Sequence, residues 1–261
     1  MKLQVLGCSG SIARDCRTTS FLLDDDVLID AGTGVGDLPL EALARIDHIL
    51  LTHSHLDHVL GVPLLADSVL RRRQSRGAPP IEVHALQPTI DVLRSDLFNN
   101  RLWPDFTRLP TAENPVLRFA PFEIGQTLEL GDRRVEVLSA RHSVPACGFA
   151  VHATSPGRGA WVFSGDTGPN PEMWARIAQF PVEHIVIETA FSEAESPIAR
   201  SSGHHSPSSL AAELASAPAD ARLYITHIKP GEIDAVMAGL RQLHRDRPLM
   251  ELLKGDTFDL G

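Results

Sequence analysis

The chain has 261 residues, of which 43% are hydrophobic, and its formal net charge is −9 at pH 7. The length predicts one domain with a full core, over residues 1–261, and the negative charge disfavours non-specific attraction to nucleic acid. No apolar run approaches the roughly 20 residues that span a membrane. The N-terminus resembles a first strand rather than a signal peptide, and the three cysteines lack a paired spacing. We therefore expect a cytoplasmic protein without a membrane partner.

The first half of the chain predicts a sheet with helices after it. Short apolar runs alternate with turns up to residue 50, which indicates strands. A helix is predicted from Val59 to Arg73, and its basic end, Arg71 to Arg76, suits the C-terminal pole of a helix dipole. The strand "IEVHAL" and the helix "PTIDVLRSDLF" follow.

The second half repeats this arrangement. The stretch from "PFEIGQ" to "GAWVFSGDT" predicts antiparallel strands. Helix and strand then alternate up to a last helix, "IDAVMAGLRQLHRD". Two β-rich halves, each followed by helices, predict two packed sheets with helices outside, an αββα sandwich of the α/β class.

The densest polar cluster is "THSHLDH", which holds three histidines and an aspartate. Because residues i and i+2 share one face of a strand, His53 and His55 are expected to meet one metal ion from the end of a strand. Asp57 and His58 fall where the chain turns into a helix, so their side chains can reach a second ion. Imidazole and carboxylate ligands suit zinc, manganese or iron. The pattern favours a metal site over a polar turn.

Further ligands are predicted at the ends of later strands. His142 in "LSARHSVP", Asp166 in "VFSGDTGP" and His227 in "LYITHIKP" each follow an apolar run and precede a turn. This placement predicts that all three reach one rim of the sandwich. Asp30 in "VLIDAG" has the same placement, and we expect it to accept a hydrogen bond from a ligand histidine and fix the tautomer.

Five motifs in this order, "LIDAG", "THSHLDH", "RHSVP", "SGDT" and "THIKP", resemble those of the metallo-β-lactamase superfamily. The resemblance extends from about Cys8 to Lys229, nearly the whole chain. It implies two divalent ions, with zinc first and manganese or iron as alternatives. One ion would be held by His53, His55 and His142, the other by Asp57, His58 and His227, and Asp166 would bridge them.

Three stretches further resemble the class II cyclic-nucleotide phosphodiesterases: "HSHLDHVLG", "FNNRLWPDF", and the segment from "IETAF" to "GHHSP". This resemblance implies a homodimer that hydrolyses 3′,5′-cyclic AMP or GMP to the 5′-nucleotide with a hydroxide shared by two ions. His204, or the adjacent His205, is the candidate proton donor to the leaving oxygen, and Glu188 the residue that orients it. Asp57 counts among the catalytic candidates as well as the ligands, and Asn99 is a candidate contact to the base or phosphate.

Other activities are compatible with the same ligands. A tRNA 3′ processing endonuclease shares them, but the acidic net charge and the lack of an obvious basic Gly/Pro-rich arm disfavour it, so nucleic acid is not the expected partner. Another phosphodiesterase of the same fold is a further alternative. A non-catalytic metal-binding scaffold is disfavoured by the complete set of candidate ligands.

Overall fold

The structure is a computed structural model and describes residues 1–245 and 247–261. In chain order its strands are β1 (Lys2–Gly7), β2 (Ser20–Leu23), β3 (Val27–Ala31), β4 (His48–Leu50), β5 (Ile81–Leu86), β6 (Leu117–Phe122), β7 (Thr127–Leu130), β8 (Arg133–Ser139), β9 (Cys147–His152), β10 (Ala160–Phe163), β11 (Val182–Glu188), β12 (Arg222–Thr226), β13 (Leu249–Glu251) and β14 (Thr257–Asp259). The α-helices are α1 (Leu40–Leu43), α2 (Leu56–Val59), α3 (Gly61–Ser75), α4 (Gln87–Val92), α5 (Pro171–Ile177), α6 (Ser196–Ser202), α7 (Pro207–Ala211) and α8 (Ile233–Leu243).

The strands form two sheets of seven, in the orders β14-β1-β2-β3-β4-β5-β6 and β13-β12-β11-β10-β9-β8-β7. Each sheet is antiparallel in one part and parallel in the other, with the parallel pairs running from β3 to β6 and from β10 to β13. Between the sheets, side chains such as Phe21 and Leu50 pack against Phe149 and Trp161. Helix α3 covers the first sheet, and α5, α7 and α8 cover the second. The predicted αββα sandwich is confirmed.

The apolar pattern of the sequence explains why these layers form. Strand β11 is apolar along most of its length because it is covered on both faces. Helix α3 buries Val62, Leu65, Ala66 and Val69, which recur at helical spacing on one face. Its basic end lies at the C-terminus as predicted, where the buried Arg73 donates to the carbonyl oxygens of nearby loops.

Several predicted elements differ in their bounds. The helix predicted from Val59 begins earlier, as α2, and continues as α3. In "PTIDVLRSDLF", α4 is followed by a π-helical turn at Leu93–Leu97. The last helix ends at Leu243, and Asp246 of the predicted segment lies outside the described residues.

One predicted pairing is wrong. Strand β6, which contains the "PF" of the expected antiparallel series, lies parallel to β5 in the first sheet. The long connection after α4 returns the chain to the start of β5, so the antiparallel series begins only at β7.

Across residues 1–245 and 247–261, every helix is too short or too polar to cross a membrane.

Candidate metal centre

The predicted ligands lie in loops at the carboxyl ends of strands. His142 follows β8, Asp166 follows β10 and His227 follows β12, while Asp30 lies near the end of β3. The distances among these side chains show that the loops converge on one rim, as the sequence predicted.

The strand geometry predicted for His53 and His55 is wrong. Strand β4 ends at Leu50, because the next backbone groups leave the sheet: the Thr52 N–H donates to Asp30 Oδ1 at 2.8 Å, and the Thr52 carbonyl accepts from Cys147 at 3.0 Å. Both histidines therefore lie in the loop before α2. Their rings still meet, with centroids 4.6 Å apart.

A first group of ligand atoms comes from His53, His55 and His142. His55 Nδ1 lies 3.0 Å from His142 Nε2. The ring centroid of His53 lies 4.9 Å from that of His142. This is the set expected to hold one ion.

A second group comes from Asp57, His58 and His227. Asp57 Oδ2 lies 3.7 Å from His58 Nε2 and 3.8 Å from His227 Nε2. Asp166 lies between the two groups, because its Oδ2 is 3.7 Å from His53 Nε2, 3.3 Å from His58 Nε2 and 3.2 Å from His227 Nε2. This is the position expected of a bridging carboxylate.

The buried polar atoms of the centre fit divalent metal ions. His53 Nε2, His58 Nε2 and Asp166 Oδ1 are buried without a hydrogen-bond partner, and such atoms are uncommon in folded proteins unless a ligand satisfies them. Imidazole nitrogen and carboxylate oxygen are the donors that zinc and similar ions take.

Groups behind the ligands determine which ring nitrogen faces the centre. His58 Nδ1 donates to Asp30 Oδ2 at 2.7 Å, and His142 Nδ1 donates to the Gly203 carbonyl at 2.9 Å. Threonine hydroxyls lie beside the other two rings, Thr52 Oγ1 at 3.0 Å from His53 Nδ1 and Thr19 Oγ1 at 3.3 Å from His227 Nδ1. All four rings thus direct Nε2 toward the centre.

Sequence reasoning found Asp30 among these supporting groups and missed Thr19, Thr52 and Gly203. Thr52 is the first residue of "THSHLDH", and this position directly before His53 is the one signal that could have found it. Asp30 and His227 also share a left-handed backbone, with φ of 54° and 61°. Such strain in residues other than glycine is often found at functional sites.

Electrostatics give most of the predicted ligands the protonation state that metal binding would require. Burial lowers the pKa of His53 well below its usual range and that of His227 to about 3. Despite burial, His227 and His58 hold the pKa of Asp166 well below its usual range. His58 is the exception: although burial opposes it, Asp166 and Asp30 raise the pKa of His58 well above its usual range.

The two candidate proton donors lie in different surroundings. His204 Nδ1 is 2.7 Å from Glu188 Oε1, and its ring lies 4.7 Å from that of His142. Burial lowers the pKa of His204, but Glu188 outweighs it, so the pKa is raised. His205 instead contacts Ser209 of α7 at 3.1 Å, and burial lowers its pKa to about 3. The geometry therefore favours His204 over His205 as the donor.

A cavity of about 340 Å³ lies beside His204. Its lining includes Arg141, Ser196 and Arg200, so it lies between the loop after β8 and helix α6. We call it the α6 cavity.

Asn99 lies in the turn that follows the π-helical turn. Its Nδ2 donates to the carbonyls of Ser95 and Asp96, and its Oδ1 accepts from the backbone N–H groups of Arg101 and Leu102. Every hydrogen bond described for this side chain is local. A contact with substrate stays a prediction.

The sandwich and the His/Asp centre on its rim define a class of metal-binding α/β proteins. Residues 26–228 match the Beta-lactamase superfamily domain, and the chain belongs to this family. The predicted superfamily is thereby confirmed.

Two relatives differ in the activity their names state. The chain is 37% identical over 164 residues to Ribonuclease Z of Bradyrhizobium sp. (strain ORS 278), covering 60% of this chain and 51% of that protein. It is 28% identical over 166 residues to the probable 3′,5′-cyclic-nucleotide phosphodiesterase of Yersinia pestis, covering 56% and 44%. The matches thus span about half the length of these relatives.

Among solved structures, unliganded yeast PDE1 resembles the chain with a TM-score of 0.80, over 98% of both chains, at 18% sequence identity. At that identity the likeness concerns the fold alone.

Proposed function

We propose that the chain is a dinuclear metal-dependent phosphodiesterase that hydrolyses 3′,5′-cyclic AMP or cyclic GMP to the 5′-nucleotide. The α6 cavity carries this proposal. Its volume of about 340 Å³ is that of a small-molecule site, and its lining includes His204, whose ring lies 4.7 Å from that of the proposed ligand His142. Two arginines in its lining, Arg141 and Arg200, outnumber the one carboxylate there, Glu193, which suits an anionic ligand.

Seven side chains would hold two divalent ions, for which we propose zinc, with manganese or iron as alternatives. His53, His55 and His142 would hold one, Asp57, His58 and His227 the other, and Asp166 both. When bound, such ions neutralise phosphate charge and activate water at neutral pH. Asp30 supports this set by fixing the His58 ring.

His204 would supply the proton that the departing ribose 3′ oxygen needs. The Glu188 carboxylate holds Nδ1 and favours the protonated ring. Glu188 is itself fixed, because its Oε1 accepts from the Thr167 N–H at 2.9 Å and its Oε2 from the Ala190 N–H at 3.0 Å. Water adds to phosphorus as hydroxide and releases one proton to solvent, the bond from phosphorus to the 3′ oxygen breaks, and the proton of His204 passes to that oxygen. A proton from solvent then restores the protonated His204.

A tRNA 3′ processing endonuclease is the second candidate, and the identity with Ribonuclease Z favours it. Against it stand the net charge of −9 and the small volume of the α6 cavity. A non-catalytic scaffold is disfavoured, because metal binding alone does not require the buried pair of His204 and Glu188.

Turnover by the metal-loaded protein distinguishes cyclic-nucleotide hydrolysis from tRNA processing. We expect hydrolysis of cyclic AMP, cyclic GMP or both to the 5′-nucleotide, and slower hydrolysis of bis(p-nitrophenyl) phosphate. Cleavage of pre-tRNA without cleavage of either cyclic nucleotide would overturn the proposal.

Filling the α6 cavity tests whether the cyclic nucleotide binds there. Ser196→Trp places an indole in the cavity, and we expect KM for the cyclic nucleotide to rise about tenfold or more, equivalent to about 1.4 kcal/mol of binding. Ser201→Trp is the matched control, because Ser201 is exposed on the same helix and does not line the cavity. Equal KM values for the two variants would show that the cyclic nucleotide does not bind in the α6 cavity.

A further inference from the structure

A second cluster of metal-ligating side chains lies on β4 and β5. His48 begins β4, and Glu82 and His84 are two residues apart on β5. In the parallel register His48 lies opposite Glu82, and Leu50 lies opposite His84. Because alternate residues share a face, the three side chains project on the same side of the sheet as Leu50, toward the second sheet.

The three potential ligand atoms form a compact triangle. His48 Nδ1 lies 3.1 Å from His84 Nε2 and 3.7 Å from Glu82 Oε2, and His84 Nε2 lies 3.6 Å from Glu82 Oε2. Zinc binds such atoms at about 2.0–2.2 Å, so two ligands of a tetrahedral ion are separated by roughly 3.3 Å. The triangle therefore resembles one face of a tetrahedron around such an ion.

Hydrogen bonding explains only one side of this triangle. His48 and His84 are close enough to share a proton, but Glu82 Oε2 lies beyond hydrogen-bond distance from both rings. The His84 side chain is 8% exposed. Burial, with a further effect of His48, lowers the pKa of His84 to about 4, so an ion pair with Glu82 is disfavoured at neutral pH.

We propose that His48, Glu82 and His84 form a third metal site, separate from the dinuclear centre, for a divalent ion of the zinc type. Two imidazoles and one carboxylate favour zinc over magnesium or calcium. The side chains of His48 and Glu82 are 24% and 38% exposed, which leaves access for the ion and for a water as fourth ligand. The ion would tie β4 to β5, and β4 leads directly into the loop of His53 and His55.

Zinc counting on the full chain tests this site without reference to activity. After dialysis against a zinc buffer, we expect elemental analysis to find three equivalents in the wild type and two in Glu82→Gln and His48→Gln. These two side chains are partly exposed, so both variants are expected to fold, which circular dichroism checks. His152→Gln is the matched control and should keep three equivalents, because His152 pairs with Glu136 on a strand and belongs to no described three-residue cluster.

Two equivalents in the wild type and also in both Glu82→Gln and His48→Gln would overturn the third site. Three equivalents retained in both Glu82→Gln and His48→Gln would overturn it as well. Failure of the proposed hydrolysis would be seen in turnover and would leave the difference of one equivalent intact, so the two proposals fail separately.

Discussion

At the scale of single residues, four of the five proposed ligand imidazoles have a hydrogen-bonding partner behind them that fixes the orientation of the ring. Asp30 is the most constrained of these partners, because it is fully buried and its oxygens accept from His58 and from both the backbone and hydroxyl of Thr52. An anionic acceptor at Nδ1 increases the basicity of Nε2 and keeps the ring aimed at the metal.

Asp30→Asn keeps the size of the side chain and removes its charge. We expect the affinity for zinc to fall about 10–100-fold, as for other partners of metal-binding histidines. Competition with a chromophoric chelator measures this affinity. Asp37→Asn, which alters an exposed ion pair with Arg17 instead, is the control. Equal affinities in the two variants would contradict the role of Asp30.

His204→Ala separates proton donation from metal binding. We expect kcat for the cyclic nucleotide to fall about 10²–10⁴-fold, since the alkoxide then leaves unprotonated. Hydrolysis of bis(p-nitrophenyl) phosphate should change little, because nitrophenolate is a good leaving group, and the zinc content should stay the same. His205→Ala should retain most turnover. An equal loss for both substrates would instead indicate that His204 acts through structure.

The sequence was sufficient to predict which His and Asp side chains converge on the rim, but not all of their hydrogen-bonding partners. Ligand types recur at readable spacings after apolar strands, so His142, Asp166 and His227 could be predicted. Thr19 could not, because it reaches His227 across 208 positions, a contact that only the folded sandwich creates. The same holds for the Gly203 carbonyl and His142, which are 61 positions apart.

At the scale of elements, the connection from α6 to α7 presents the proposed proton donor. Gly203 ends α6 in a left-handed conformation, with φ of 72°. Its carbonyl holds His142, and a Cβ added to it would lie 3.0 Å from both His142 Cα and Ser143 N. Only glycine suits this position, where both the backbone conformation and the space are restrictive.

Gly203→Ala should therefore displace His142 and His204 together. We expect kcat/KM to fall by about 10²-fold, the effect of a shift near 1 Å at a catalytic group. Gly157→Ala is the control, because Gly157 also has a left-handed φ, 83°, but nothing stands within 4 Å of an added Cβ. Steady-state kinetics of the two variants check this, and equal losses would attribute the effect to backbone strain alone.

Strand β4 shows why an element's end is harder to predict than its existence. The apolar run "HILL" predicts a strand, but period-2 reasoning extended it to His55. The backbone N–H of Thr52 donates to Asp30 and its carbonyl accepts from Cys147, so the pairing of β4 with its neighbouring strands stops before the histidines. These competing partners come from other strands and have no signal in the local sequence.

At the scale of the whole molecule, the two sheets share an apolar core and are also joined by an ion pair. Arg133 at the start of β8 binds both carboxylate oxygens of Asp26, in the turn between β2 and β3, with Nη2 to Oδ2 at 2.8 Å. The hydrogen bond to Arg133 lowers the pKa of Asp26. The alternation of strands and helices predicted these layers, whereas the parallel position of β6 depended on a long loop.

The Asp26 pair should contribute stability that depends on pH. A carboxyl whose pKa is lower in the folded state stabilises the fold above its unfolded value, about 3.9, and loses that contribution as the pH falls through the folded value. We expect Asp26→Asn to lower the urea midpoint of unfolding at neutral pH, and the difference from wild type to shrink below about pH 4. Asp25→Asn, at a largely exposed neighbour, is the control. If the difference in urea midpoint between wild type and Asp26→Asn grew as the pH fell, the lowered pKa of Asp26 would be contradicted.

One domain over residues 1–261 and a homodimer stay predictions at this scale. The family and the clustered His/Asp side chains fit divalent metal ions, whereas zinc itself and the cyclic nucleotide are proposals.

A competition reaction tests the central claim most directly. Cyclic AMP, cyclic GMP and a pre-tRNA are mixed with the zinc-loaded protein, and the rates of loss give the ratio of their kcat/KM values. We predict that one of the cyclic nucleotides exceeds pre-tRNA by at least about 100-fold, because the α6 cavity accepts a small ligand and the net charge of −9 repels a polyanion. A ratio that favours pre-tRNA would contradict the account.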